Sequence, residues 1–139
     1  MLENPKINIK LKLSALWTSL IALYIYGDYF ELYVPGRVEN LINVTAIADT
    51  PAKLFLASLF ISIPSLMIAL SVLLKPKINR LLNIVFGLLL TLVVILVGSN
   101  SLYIWLSYYV LYAVLEGVIT LLIVWYAWKW PVTNNMSGK

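Results

Sequence analysis

Read as a string of apolar and polar positions, the chain falls into four long apolar blocks joined by polar links. The first runs from Leu11 to Val34, broken by Lys12 at its start, a few small polar residues, and Asp28 and Glu31 near its end. Leu54 to Leu74 and Leu81 to Gly98 carry no charge, and Leu102 to Trp128 carries one, Glu116. A helix rises ~1.5 Å per residue and the hydrocarbon core of a bilayer is ~30 Å thick, so each block is long enough to cross it. The links are residues 35–53, residues 75–80 and the short Ser99-Asn100-Ser101. Pro35-Gly36 reads as a turn, and Asp49-Thr50-Pro51 as a helix start in which Asp49 or Thr50 caps and Pro51 fits the first turn. Links this short force antiparallel neighbours. The pattern therefore predicts an all-α membrane protein: one membrane domain, residues 1–139, built as a four-transmembrane-helix antiparallel bundle, with a frayed polar end from Val132 to Lys139.

Charge adds a direction to this picture. Lys6, Lys10, Lys12, Lys75, Lys77, Arg80, Lys129 and Lys139 fall on one side of the predicted bundle, against Arg37 and Lys53 on the other. Under the positive-inside rule this bias places both termini and the 75–80 link in the cytoplasm and the 35–53 link outside, in a multi-pass protein of the cytoplasmic (inner) membrane. Lys6, Lys10 and Lys12, before and at the start of the first block, resemble a signal-peptide start, but Tyr26-Gly27-Asp28-Tyr29-Phe30 is too bulky for a cleavage site, so the block is read as an uncleaved anchor. Anionic headgroups account for the net charge of +4, and no nucleic-acid partner is implied. Most of the five tryptophans lie near span ends, as an aromatic belt requires.

Composition narrows the chemistry. The chain is 62% hydrophobic and 12% charged, where a soluble domain carries roughly 25% charged residues. It has no cysteine and no histidine, which removes thiol redox chemistry, disulfides and the usual haem, zinc and proton-shuttle side chain. No metal site and no cofactor is expected. Nucleophile–base pairs and glycine-rich phosphate loops are also missing, so the reading leans away from an enzyme, although a carboxylate enzyme acting on a lipid-like substrate stays open.

The informative residue is Glu116, about 21 Å from one end of its predicted span and about 18 Å from the other by helix rise. An ionisable group there costs ~3 kcal/mol or more to insert unless it is paired, hydrated or protonated. Apart from Lys12 at the edge of the first, no Lys or Arg lies inside the spans. Glu116 is thus expected to be neutral and donating a hydrogen bond, or ionised only with a cation beside it. Helical spacing puts Trp105, Tyr108, Tyr112, Glu116 and Thr120 on one face, with Tyr109 at its margin. On the first span the matching stripe reads Ser14, Trp17, Ile21, Tyr24, Asp28 and Glu31. Facing each other, the stripes would wall an acidic, aromatic pocket between spans one and four that suits an amine, through carboxylate pairing and attraction to ring faces. The ligand-binding candidates are Glu116, Asp28, Glu31, Tyr24, Tyr108, Tyr112, Trp105 and Trp17. A second reading makes Glu116 a helix clamp, bonded to a tyrosine, Asn83 or Asn100. Pro64 in the second span removes a backbone donor and predicts a kink.

Three segments, YIYGDYFELYVPG from Tyr24, KPKINRLLNIVFG from Lys75 and IVWYAWKWP from Ile123, resemble an uncharacterised prokaryotic family of small four-span membrane proteins, a domain of unknown function grouped loosely with the DoxX-like proteins. The resemblance implies a four-helix membrane fold and no known activity or site residue. The residues themselves point to binding or proton-coupled transport of a small cationic or amphipathic ligand. The alternatives are a non-catalytic scaffold or accessory subunit and a membrane enzyme for a lipid-like substrate. The bilayer is the expected partner, and a homo-oligomer is left open.

Overall fold

The computed structural model describes residues 5–43, 50–99 and 107–131. They form α1 (Ile9–Glu31), α2 (Arg37–Ile42), α3 (Pro51–Leu73), α4 (Pro76–Ser99) and α5 (Ser107–Trp128), with no strand among the described residues. Helices α1, α3, α4 and α5 are each long and apolar enough to cross a membrane. Only 17% to 22% of each apolar window is buried within the chain, so most of the apolar surface faces outward. Water would not tolerate that much exposed hydrocarbon, whereas lipid does. The fold is a helical membrane bundle.

Local chemistry sets the helix starts. Asn8 caps α1, its Oδ1 accepting the Lys10 N–H at 3.0 Å, and Thr50 caps α3, its Oγ1 accepting the Lys53 N–H at 3.3 Å. Pro51 and Pro76 open α3 and α4, where a missing N–H costs nothing. The 75–80 segment, expected to be a link, is helical from Pro76 onward, and Asn79 N–H already bonds to the Lys75 carbonyl at 3.0 Å. Its basic residues marked the edge of the hydrocarbon, which a helix can overrun. Gly36 takes φ +80° just before α2, a left-handed conformation that suits glycine. α3 runs continuously through Pro64, which is buried.

Around the bundle, α1 packs on α3 and α5, α5 packs most extensively on α4, and α3 and α4 share the least contact of these neighbouring pairs. The close α4–α5 approach runs along small residues: a Cβ on Gly87 would sit 2.7 Å from Val124 Cγ2, and one on Gly98 would sit 3.0 Å from Ala113 Cβ.

The two ends of the bundle differ. Leu13, Trp17, Leu20, Met67, Leu90 and Ile123 form the buried apolar core. Leu13, Trp17, Met67 and Ile123 come from the lysine-rich half of α1, α3 and α5, and Leu20 and Leu90 extend the core to the middle of α1 and just past the middle of α4. A polar lock is buried among them. Asn83 Oδ1 accepts from Trp17 Nε1 (2.7 Å) and Ser71 Oγ (3.4 Å), while its Nδ2 donates to the Asn79 carbonyl (2.9 Å) and Oδ1 (2.7 Å). Asn79 Nδ2 in turn donates to the Ser71 carbonyl. A step nearer the centre, Thr91 and Thr120 join α4 to α5 at 2.9 Å. Helix ends are closed on the same side: Lys10 Nζ donates to the Leu74 and Val72 carbonyls (2.7 and 3.1 Å), and Arg80 to the Trp128 carbonyl (3.2 Å). These satisfy carbonyls that the last turns of α3 and α5 leave unpaired.

Candidate functional site

Beyond the polar lock, toward the opposite end, the helices enclose a cavity of about 140 Å³. α1 contributes Tyr24, Gly27 and Asp28, and α5 contributes Tyr109, Tyr112, Ala113 and Glu116. α3 closes one side with Phe60 and Ile61, and α4 another with Val93, Val94, Val97 and Gly98. Glu116 lies nine residues into α5, so helix rise puts it about 13 Å from Ser107 and about 18 Å from Trp128. Asp28 is one turn from the end of α1. Because α1 and α5 run antiparallel, Tyr24 comes level with Glu116 one turn below Asp28. Glu116 is within electrostatic range of both Asp28 and Tyr24, and Tyr109 of both carboxyls.

The two faces read from helical periodicity thus meet, but only over part of their length. Glu116, Asp28, Tyr24 and Tyr112 share the cavity, and Tyr109 belongs to it fully. Trp17 does not. It is fully buried in the polar lock, more than two turns from Asp28, with its N–H spent on Asn83. Glu31 is not in the cavity wall either: its Oε1 pairs with Arg37 Nη1 at 3.2 Å, tying the end of α1 to the first turn of α2. Tyr108 lines a separate cavity of about 250 Å³ with Phe30, Tyr33, Val34 and Tyr112, and its buried hydroxyl has no hydrogen-bond partner among the described residues. Tyr112 is common to both cavities. At the rim of the second, the Tyr33 hydroxyl is hydrogen-bonded to Tyr29 (2.7 Å), which raises the Tyr33 phenol above its ordinary range. Trp105 lies outside the described residues, as do Asn100 and the 132–139 segment.

A family model described as a family of unknown function, DUF6326, matches residues 4–137. The chain belongs to DUF6326. That membership agrees with the uncharacterised family expected from the sequence and carries no link to DoxX-like proteins. No curated protein and no solved structure matches the chain. The site in this DUF6326 member is therefore read from its own chemistry.

That chemistry is two carboxyls and three phenols in a mostly apolar enclosure, with no Lys or Arg among the described lining residues. Among the described residues the Glu116 side chain has no hydrogen-bond partner and no ion pair. Asn83, one candidate clamp for it, is fully engaged by Trp17, Ser71 and Asn79. No cluster of three metal-binding side chains occurs among the described residues. Sequence reasoning missed Gly27, whose bare Cα faces the Tyr112 ring, a Cβ there falling 3.8 Å from Tyr112 Cδ1. It also missed the apolar walls from α3 and α4, since nothing in those runs distinguishes a wall residue from a lipid-facing one.

Proposed function

We propose that this membrane protein binds a small cationic or amphipathic amine in the cavity between α1 and α5, in exchange for a proton held by Glu116 and Asp28. The observation that supports this reading is the placing of both carboxyls in one cavity, walled by tyrosines and lacking a described cation. Two carboxylates in one cavity of low dielectric repel, so the pair favours a bound proton or a bound cation. Tyrosine ring faces attract the same ligand class. A clamp needs a partner, and Glu116 has none among the described residues. Transport adds a second requirement, opening of the lysine-rich end, where the polar lock now closes the bundle. Orientation with both termini in the cytoplasm, from the basic bias, would open the cavity to the outer side.

The test is proton release in weakly buffered detergent on addition of small lipophilic amines. Wild type is expected to release protons, Glu116→Gln to release none while remaining folded, and Asp28→Asn to release fewer. Because proton and amine compete, apparent affinity falls as pH is lowered, by about tenfold per unit where exchange is one for one. The groups facing Glu116 are Asp28, Tyr24, Tyr109 and Tyr112, and an Asp28→Asn control separates the two carboxyls. Unfolding of Glu116→Gln would favour the clamp. Stable variants with no release from any amine would sink proton exchange, leaving a scaffold, for which a stoichiometric partner should co-purify, or turnover of a lipid-like substrate.

A further inference from the structure

The geometry points to a lateral mouth between α3 and α4, through which the hydrocarbon chain of a long-chain amine leaves the cavity while its ammonium stays beside Glu116 and Asp28. This rests on the amine reading above and specifies the ligand class.

A residue that lines a cavity and is also exposed stands at its rim. Among the lining residues these are Asp28 on α1, Ile61 on α3 (37% exposed) and Val97 on α4 (41% exposed). Ile61 and Val97 place the apolar part of the rim between α3 and α4, and Asp28 adds a polar part from α1. Helices α3 and α4 are joined by Leu74 and Lys75 and bonded through Ser71, Asn79 and Asn83 at the lysine-rich end, and they share the least contact of the neighbouring pairs. Asp28 and Val97 stand within a turn of their helix ends, whereas Ile61 is ten residues into α3, about 15 Å from Pro51. The mouth thus runs from the polar interface down into hydrocarbon.

Size and charge then select the occupant. A cavity of about 140 Å³ is close to the roughly 150 Å³ that holds one benzene. It takes an ammonium and a few methylenes, and a longer chain must leave. The interfacial part of the rim carries a carboxylate and the deeper part is aliphatic, which matches the order of groups in an alkylamine lying in a leaflet. A phospholipid amine also brings a phosphate, and no described lining residue offers it a positive charge.

The test uses the full chain in nanodiscs of phosphatidylcholine, with butylamine, hexylamine, octylamine and dodecylamine counted per lipid. A chain that lies in hydrocarbon both free and bound gains nothing from the mouth, so affinity per lipid is expected to stay within about threefold from hexylamine to dodecylamine. A dodecylamine bearing a mid-chain diazirine should label the Phe60–Ile61 and Val93–Val97 stretches, with excess butylamine suppressing the label. A fall of more than about tenfold beyond hexylamine, as a closed cavity of this size requires, would overturn the mouth. So would labelling spread over all four membrane helices and matched by the dodecanol analogue. Failure of butylamine itself to release a proton would instead remove the underlying amine reading.

Discussion

Asn83 shows how much one buried side chain holds in place. Its amide accepts from Trp17 on α1 and Ser71 on α3 and donates to Asn79 on its own helix. Asn83→Ala leaves the Trp17 N–H without its acceptor in a dry interior, which costs about 1–3 kcal/mol. The expected outcome is a lower midpoint of thermal unfolding in detergent with amine-driven proton release retained, because the cavity lies elsewhere. Gly87 is the steric counterpart. An added Cβ would stand 2.7 Å from Val124 Cγ2, so Gly87→Ala must displace the Val124 side chain or push α4 from α5. Overpacking of this kind costs about 1–3 kcal/mol, and the same thermal measurement should find Gly98→Ala milder, since its contact at Ala113 is 3.0 Å.

At the scale of elements, helix ends carry the next prediction. Lys10 and Arg80 counted in the sequence only as charges that orient the bundle, yet each bonds the last carbonyls of a helix that ends beside it. Lys10→Met should let the last turn of α3 fray, seen as faster amide exchange from Leu70 to Leu74, and Arg80→Met should do the same at the end of α5. What was legible in the sequence follows from how far each signal reaches. Uninterrupted apolar runs mark four membrane helices because lipid demands them, and periods of three and four brought Tyr24, Asp28, Tyr112 and Glu116 to one cavity. A stripe says which residues share a face but not where along it the neighbour changes. Trp17 therefore goes to the lock, Thr120 to Thr91, and Glu31 to Arg37. Asn83, in an apolar span, is a usable sign of a buried polar contact, since an unpaired amide is costly there, whereas Asn79 falls in the stretch read as a link.

For the whole molecule, the first question is which end meets the cytoplasm. The chain has no cysteine, so a single introduced thiol reports unambiguously. In intact cells Val38→Cys should react with a membrane-impermeant maleimide and Lys77→Cys should not until the cells are opened. The opposite pattern would reverse the orientation inferred from the basic bias. The same labels test closure: reaction at Lys77→Cys that depends on added amine would mark an opening at the lysine-rich end.

A bundle with a filled half and a hollow half would, on binding the proposed amine, do unequal mechanical work on its two leaflets. If the chain of the proposed ligand spreads α3 from α4, the protein's footprint grows only in the leaflet around the mouth, while the locked half holds its area constant. Lateral tension multiplies that area difference into a free energy that adds to the ligand's own. Occupancy should thus respond to lipid shape on one side of the membrane and ignore it on the other, a sensitivity that lysolipid added to either face of a vesicle would reveal.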